Sequence, residues 1–568
     1  MLFSKKSQGV IGLVVLLLTA FSTAAIGQQG GMNFHFVVLG DTRPHGGANV
    51  ITQPKEFKEN IRAINLIMPD FVIDVGDLIL GYNDDEKLID KQWDDFDKTV
   101  AMFKMPLRMV IGNHDVWNKE SEDIYRKRYG DLYYSFDHKD SHFIVLDSEE
   151  FSPPGAMDYI KGEQLNWLKR DLEEHKDANN IFVFLHKPLW RFSNDETNWN
   201  TEVHPLLARY KVRAVFAGHW HVYEKSFARD GIEYFITGGG GAEISESRVM
   251  GGFYHFMLVS VRDKEVEYAV IEPEGVKDKN IVTQEFIQNV EKIAKGAIPV
   301  IDIRPSETIK EEVTHFLVNP FPQPIEVEII TDTSLAGSWK INPIRSKYLI
   351  PANDSIKATF CFSCEATQVF PLPSQKLKVY QDGKEIMSTS PKLKIKNEWF
   401  IKEWMVIGPF DLEWRGADRA KVPPGFDKVY PPEKEINLKK SYSSLGKKVS
   451  WFKCTADERG FVNLNKLFEP NDDVIAYALA YVYAPKRMKV ALSLGSDDGA
   501  KIWLNDKLVF RKHIGRGAAP DQDVMIVTLE PGWNKLLLKI EEMYGQWGFY
   551  LRFSDTLGVL RYSVKKSN

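Results

Sequence analysis

Five short segments of this chain place carboxylate, amide or imidazole side chains directly after runs of β-branched and apolar residues. They are Gly40-Asp41-Thr42-Arg43, Gly76-Asp77-Leu78, Gly112-Asn113-His114-Asp115, Leu185-His186-Lys187-Pro188 and Gly218-His219-Trp220-His221. The runs before them are FHFVVL, FVIDV, LRMVI, IFVFL and VRAVF, which read as strands. Groups at the carboxyl ends of several strands of an open α/β sheet meet in one crevice. Carboxylate and amide oxygens mixed with imidazole nitrogens suit Mn, Fe or Zn. Alone, an Asp after a Gly is usually a turn or cap residue, and one strand-end His is usually a hydrogen-bonded structural group. Six such residues at five ordered strand ends point to a metal centre.

Helical patterns separate the strands. Apolar residues recur at helical spacing over 55–67 (Phe57, Ile61, Ile64), 85–103 (Leu88, Trp93, Phe96), 119–128, 162–175 (Leu165, Leu168, Leu172) and 202–209. Strands are expected at 34–39, 71–75, 107–111, 181–185 and 213–217, with an antiparallel pair at 132–136 and 142–147. Three more are expected near 221–228, 232–237 and 253–271, then a helix at 283–294. This alternation predicts a layered α/β (α+β) domain over 33–296, ending at Gly296 and Pro299.

At 568 residues the chain exceeds one core. Short strands separated by Pro, Asp and Asn over 297–395 read as an immunoglobulin-like β-sandwich. From 396 to 568, alternating strands with turns at Asp498-Gly499 and Asn505-Asp506 resemble the jelly-roll, galactose-binding-like domains often appended to exported bacterial hydrolases. Both halves of that region are thus expected to be all-β sandwiches.

The net charge of −5 gives no reason to expect nucleic acid as a partner. Lys5 and Lys6, the apolar run Val10–Leu18 and the small residues before Gln28 have the layout of a signal peptide over 1–27. Export to the periplasm or beyond follows, with no stable transmembrane segment after cleavage. An uncleaved anchor is the alternative reading. Cys361, Cys364 and Cys454 are expected as buried free thiols, because residues three apart on a strand point to opposite faces.

In order and spacing, the five segments resemble the calcineurin-like metallophosphoesterases over roughly residues 33 to 270. The resemblance implies a β-sandwich core flanked by helices. It implies two divalent metal ions (Mn, Fe or Zn) about 3.5–4 Å apart, which neutralise an anionic phosphate and make hydroxide available from bound water. By the same resemblance, Asp41 and His221 hold the first metal and Asp77 bridges both. Asn113, His186 and His219 hold the second. His114 is the general acid, oriented or charge-tuned by Asp115. Asn113 and His114 also meet the substrate.

One position departs from the family pattern. Where a histidine ligand is common, this chain has Arg43, which either grips the phosphate or pairs with a nearby carboxylate. Purple acid phosphatases place a tyrosine where Leu80 stands here. His45 and Tyr82 are the nearby candidates to complete the first site. The resulting expectation is an exported phosphoesterase acting on a phosphorylated small molecule or glycan, mono- or diester. The alternative is a degenerate fold serving as a surface ligand- or carbohydrate-binding protein, through Trp503, Trp533 or Trp547 of the C-terminal domain, where core packing is the bland reading. Asp497-Asp498 lacks the spacing of a calcium loop. Gly238–Gly241 either let the backbone approach substrate or meet a packing need.

Overall fold

The structure is a computed structural model that describes residues 33–46, 50–83, 85–149, 160–193, 197–296, 298, 300–303, 306–332, 338–391, 393–396, 398–415 and 421–566. The leader expected at 1–27 and Pro299 lie outside the described residues. The chain divides into two compact units, residues 1–289 and 290–568.

The first unit opens with β1 (Phe34–Leu39), α1 (Lys55–Ile67), β2 (Phe71–Asp74), α2 (Glu86–Val100), β3 (Leu107–Met109) and α3 (Lys119–Tyr129). The hairpin β4 (Tyr134–His138) and β5 (Ser141–Val145) follows, then α4 (Gly162–Glu174), β6 (Asn180–Phe184), α5 (His204–Arg209) and β7 (Ala214–Ala217). Strands β8 (Tyr223–Lys225), β9 (Glu233–Thr237), β10 (Phe256–Arg262), β11 (Glu265–Glu272) and β12 (Gly275–Asp278) complete it. The strands form two six-stranded sheets, ordered β12-β11-β10-β1-β2-β3 and β4-β5-β6-β7-β9-β8. Strands β1, β2 and β3 run parallel, as do β5, β6, β7 and β9.

Side-chain alternation along a strand sorts residues to the two faces of each sheet. Phe36, Val38, Phe71 and Ile73 of the first sheet meet Phe143, Phe182, Phe184 and Phe216 of the second in one core. Phe36 stacks on Phe71 at 5.4 Å and meets Phe143 and Phe182 edge-on at 5.4 and 5.2 Å. Their strand neighbours Val37 and Leu39 pack under α1 and α2 through Phe57, Ile61, Ile64 and Phe96. Ile144, Val183 and Val215 do the same under α4 and α5 through Leu165, Leu168, Leu172 and Leu207. The result is helices, sheet, sheet, helices. Strands covered on both faces are apolar throughout, which is why they read as unbroken runs.

Differences from the sequence reading are local. The segment expected as one strand over 253–271 is the hairpin β10–β11, turned at Asp263 with φ of 56°, and β12 follows it. The 132–136/142–147 pair lies at 134–138 and 141–145, and a π-helical turn, Trp199–Val203, precedes α5. Asp85 caps α2 by accepting Lys87 N–H at 3.0 Å, and Asn118 caps α3 by accepting Ser121 N–H at 2.8 Å.

The second unit is rich in β-sheet. Strands Thr308–Val318, Ser355–Glu365 and Lys340–Asn342 form one sheet; Arg345–Ile350, Ile325–Asp332, Ser374–Gln381 and Lys384–Thr389 form another. Beyond residue 400, a seven-stranded and a four-stranded sheet share a core containing Trp404, Ala478, Leu492, Ile502, Leu538 and Phe549. Trp547 is part of that core, Trp503 packs at the edge of a neighbouring cluster, and Trp533 meets Tyr483 edge-on at 5.5 Å. The carbohydrate reading of these tryptophans finds no support. Cys361 and Cys364 do lie on opposite faces, and all three cysteines are free, but Cys361 is exposed and not buried as expected. Burial pushes the Cys364 thiol up to about 12 and that of Cys454 to about 11.

Phe36 touches both sheets, so Phe36→Ala should lower the stability of the first unit by about 3–5 kcal/mol. Phe36→Leu should cost distinctly less. Denaturant unfolding followed by the first unit's near-UV signal checks the order of the two variants.

Candidate metal centre

All five predicted segments meet at the carboxyl ends of the parallel strands. Four of their residues adopt left-handed backbone: Asp41 (φ 57°), Asp77 (59°), His219 (73°) and His221 (50°). Left-handed backbone costs a non-glycine residue about 1–2 kcal/mol, so the surroundings must hold it there. They do so through hydrogen bonds to main chain. Asp41 Oδ2 accepts His219 N–H at 2.8 Å, and Asp77 Oδ1 accepts His114 N–H at 3.0 Å.

The glycines are set by space. A Cβ on Gly112 would lie 2.3 Å from Asp77 Oδ1, and one on Gly218 would lie 2.4 Å from Asp41 Oδ2. Gly238 has the same reason: its Cβ would stand 2.6 Å from Asp41 Oδ2. The glycine run thus passes close behind a proposed ligand.

The second half of the centre gathers around His186, which is fully buried. His186 Nδ1 lies 2.9 Å from Val75 O, and a carbonyl only accepts, so Nδ1 carries hydrogen. Its Nε2 faces Asp77 Oδ1 at 3.2 Å, Asn113 Oδ1 at 3.2 Å and His219 Nδ1 at 3.3 Å. One proton on Nε2 cannot serve three acceptors. Burial disfavours charge on His186, yet Asp77 and Asp41 raise its pKa, so the pocket draws positive charge to this point. Burial and the neighbouring His186 push His219 down to about 3. A divalent cation satisfies all four lone-pair atoms at once.

The first half is built from Asp41 and His221. His221 Nδ1 is 2.8 Å from Glu243 O, so it is the hydrogen-bearing nitrogen, and Nε2 is turned to Asp41 Oδ1 at 3.3 Å. A ligand imidazole whose other nitrogen donates to a carbonyl is the usual arrangement at metals. Asp41 Oδ1 is buried and accepts no hydrogen bond. Ligand atoms of Asp41, Asp77 and His186 lie within 4.8 Å of one another, which joins the two halves. The residues fit a two-metal centre.

His114 sits beside it. Leu80 O accepts from Nδ1 at 2.5 Å, which leaves Nε2 turned to the centre, 3.9 Å from Asp77 Oδ2. Burial lowers the His114 pKa, against the pull of Asp77.

One expectation needs correction, and one of the two readings of Arg43 is met. Asp115 does not orient the His114 ring. Its Oδ1 accepts Leu78 and Ile79 N–H at 2.8 and 3.2 Å, and its Oδ2 accepts Gly112 and Asp77 N–H at 2.8 and 3.0 Å. It pins the second loop to the third. Arg43 is engaged with a carboxylate: Nε lies 3.4 Å from Asp77 Oδ2, and Nη1 donates to Pro44 O at 3.2 Å. Of the candidates to complete the first site, His45 is exposed. Tyr82 Oη instead accepts Asn113 Nδ2–H at 3.1 Å.

Three features escaped the sequence reading. Lys187 pairs with buried Glu149 at 2.8 Å, close enough that burial and the Lys187 charge bear in opposite senses on the Glu149 pKa, which is raised. Asp74 lies buried beneath the centre, bonded to Thr42 Oγ1 at 2.9 Å, its pKa pushed well up by burial. In the second unit Asp497, Asp498 and Glu542, all buried, gather their carboxylates within 4.8 Å despite lacking a calcium-loop spacing.

A further His/Asp group has another explanation. His142 Nδ1 meets Asp137 at 2.7 Å and Nε2 meets Asp171 at 2.8 Å, so both nitrogens donate and the ring is an imidazolium. Burial opposes its charge, but the two carboxylates raise its pKa. The ion pair's stabilisation is complete below the ordinary histidine pKa and is lost as pH rises through the raised folded value. As pH rises above about 6.5, stability of the wild type should therefore fall by more than that of His142→Asn, as denaturation at a series of pH values above that point will measure.

Residues 34–223 match the sequence model of the calcineurin-like phosphoesterases. Serine/threonine-protein phosphatase CPPED1 of Mus musculus is 34% identical over 130 residues, covering 21% of this chain and 42% of that protein. Tartrate-resistant acid phosphatase type 5 of Rattus norvegicus is 23% identical over 311 residues, 47% of this chain and 94% of that protein. A crystal structure of a dimetal phosphatase from Danio rerio aligns at 16% identity and a TM-score of 0.33, over 42% of this chain and 98% of that one. The chain spans less than half the length of the CPPED1 relative.

Proposed function

Because this chain carries a calcineurin-like metallophosphoesterase domain, we propose that it is a metal-dependent phosphoester hydrolase acting on phosphate mono- or diesters. The observation that carries the reading is the meeting of Asp77, Asn113 and His219 lone-pair atoms on one nitrogen of His186, at 3.2–3.3 Å. Asp41 and His221 would hold the first cation, Asn113, His186 and His219 the second, and Asp77 both. When bound, two divalent cations neutralise phosphate charge and lower the pKa of water.

The chain's own groups supply the rest. His114 presents Nε2 toward the centre, from where it protonates the departing oxygen. Asn113 and His114 flank the phosphate. The Arg43 guanidinium, 14% exposed and beside Asp77, holds a fixed positive charge at the rim of the first half. It has no lone pair to offer a metal. The apolar leader at 1–27 supports export, and the strand patterns support an immunoglobulin-like unit at 297–395 and a jelly-roll-like unit at 396–568.

His114→Ala should retain both metals and slow hydrolysis of alkyl phosphates roughly 10²–10⁴-fold. Nitrophenyl phosphate, whose leaving group departs without a proton, should lose much less. Steady-state kinetics with both esters tests the role, and equal losses would remove it.

Metal titration of chelated protein should show two phases, the weaker at the Asp41/His221 half beside Arg43. Arg43→His should tighten the weak phase. Two equally tight sites, unchanged in that variant, would mean that Arg43 has no influence on metal binding.

A further inference from the structure

Tyr82 is placed at the mouth of the centre in a way that packing alone does not require. It is 55% exposed, although Ile79 and Gly81 just before it are buried. Its backbone is left-handed, with φ of 46°, where a bulky side chain is disfavoured. The loop that presents it is pressed onto the third segment. A Cβ on Gly81 would lie 1.8 Å from His114 O, and Leu80 O binds His114 Nδ1. The Tyr82 ring stands edge-to-face with the His114 ring at 4.8 Å and 83°, and it meets Trp117 at 5.6 Å. Its hydroxyl takes Asn113 Nδ2–H, which turns the amide oxygen of Asn113 toward His186.

The leaving oxygen must come within hydrogen-bond reach of His114 Nε2. Whatever carbon group that oxygen carries then lies about one ring width from Tyr82. A flat ring gains from an exposed aromatic face or edge what a saturated ring of equal size does not. We propose that Tyr82 is a specificity residue that seats a flat ring carried on or next to the ester oxygen, so that the preferred substrates are phosphate esters of aromatic alcohols. The proposal rests on the phosphoester-hydrolase reading of the same centre.

Benzyl phosphate and cyclohexylmethyl phosphate separate the two claims. Both release a primary alcohol, so their demand on His114 is alike, and they differ in the flatness of the ring. With Mn²⁺-loaded full-length protein, KM should be about three- to tenfold lower for the benzyl ester. Tyr82→Ala should erase that ratio, and Tyr82→Phe, which keeps the ring, should preserve it. Calorimetry with benzylphosphonate and cyclohexylmethylphosphonate gives the same comparison without turnover, and circular dichroism confirms that the variants are folded. Hydrolysis with no benzyl preference, or a preference untouched in Tyr82→Ala, overturns the ring seat and leaves the activity standing. A benzyl preference in binding without any hydrolysis overturns the activity and supports the seat. Neither binding nor hydrolysis overturns both.

Discussion

Lone pairs that face one another inside a protein are the constraint on which the first unit depends. Burying an acceptor without a donor costs roughly 1–3 kcal/mol. Here Asp77 Oδ1, Asn113 Oδ1 and His219 Nδ1 surround one imidazole nitrogen, and Asp41 Oδ1 is buried with none to accept from. A fold keeps such an arrangement when a cation settles it. The two sheets make it possible. Asp41, Asp77 and Asn113 come from one sheet, His186, His219 and His221 from the other, and the aromatic core between them fixes their spacing.

The strained backbone follows from the same demand. An extended strand end would point its side chains alternately to the core and to the helices. Left-handed residues at Asp41, Asp77, His219 and His221 break that alternation and turn each side chain into the crevice. Asp115 shows how the cost is met. Its buried carboxylate gathers four main-chain N–H groups from the second and third segments, tying to the third loop a second loop that carries Asp77 in a left-handed conformation. Substitution of Asp115 would thus disturb the centre through the position of Asp77 and not through the His114 ring.

What was legible in the sequence was whatever depends on period and order. The doubly covered strands β1, β2, β6 and β7 declared themselves as apolar runs, and the helices between them by spacing. The proposed ligand set was legible because each of its residues sits two to four positions past the end of a strand. The hairpin β10–β11 was not, because Arg262, Asp263, Lys264 and Glu265 form a tight turn with no glycine or proline to mark it. Asp115 was misread for a different reason: adjacency to His114 suggested a side-chain partnership, but a tight turn sends neighbouring side chains apart. Glu149–Lys187 and His142–Asp171 join segments far apart in the chain, and no local pattern announces them.

Arg43 changes the balance of the centre more than a lost ligand would. A neutral imidazole at that position would add a lone pair to the first half. The guanidinium adds a permanent positive charge 3.4 Å from Asp77 Oδ2 and removes part of that carboxylate's capacity to attract a cation. Against the burial that opposes it, the Asp77 pKa is held low by His186, His114 and Arg43 together, so the carboxylate is already stabilised as an anion before any cation arrives. The two halves are therefore unequal. In the proposed assignment the His186 half would offer Asn113, His186, His219 and Asp77 to one cation. The Asp41 half would offer two ligands of its own, Asp41 and His221, and an Asp77 carboxylate shared with an arginine. In the proposed reaction, an anionic phosphate entering the crevice would find that shortfall offset by the guanidinium, which repels a metal and attracts a phosphate oxygen for the same reason.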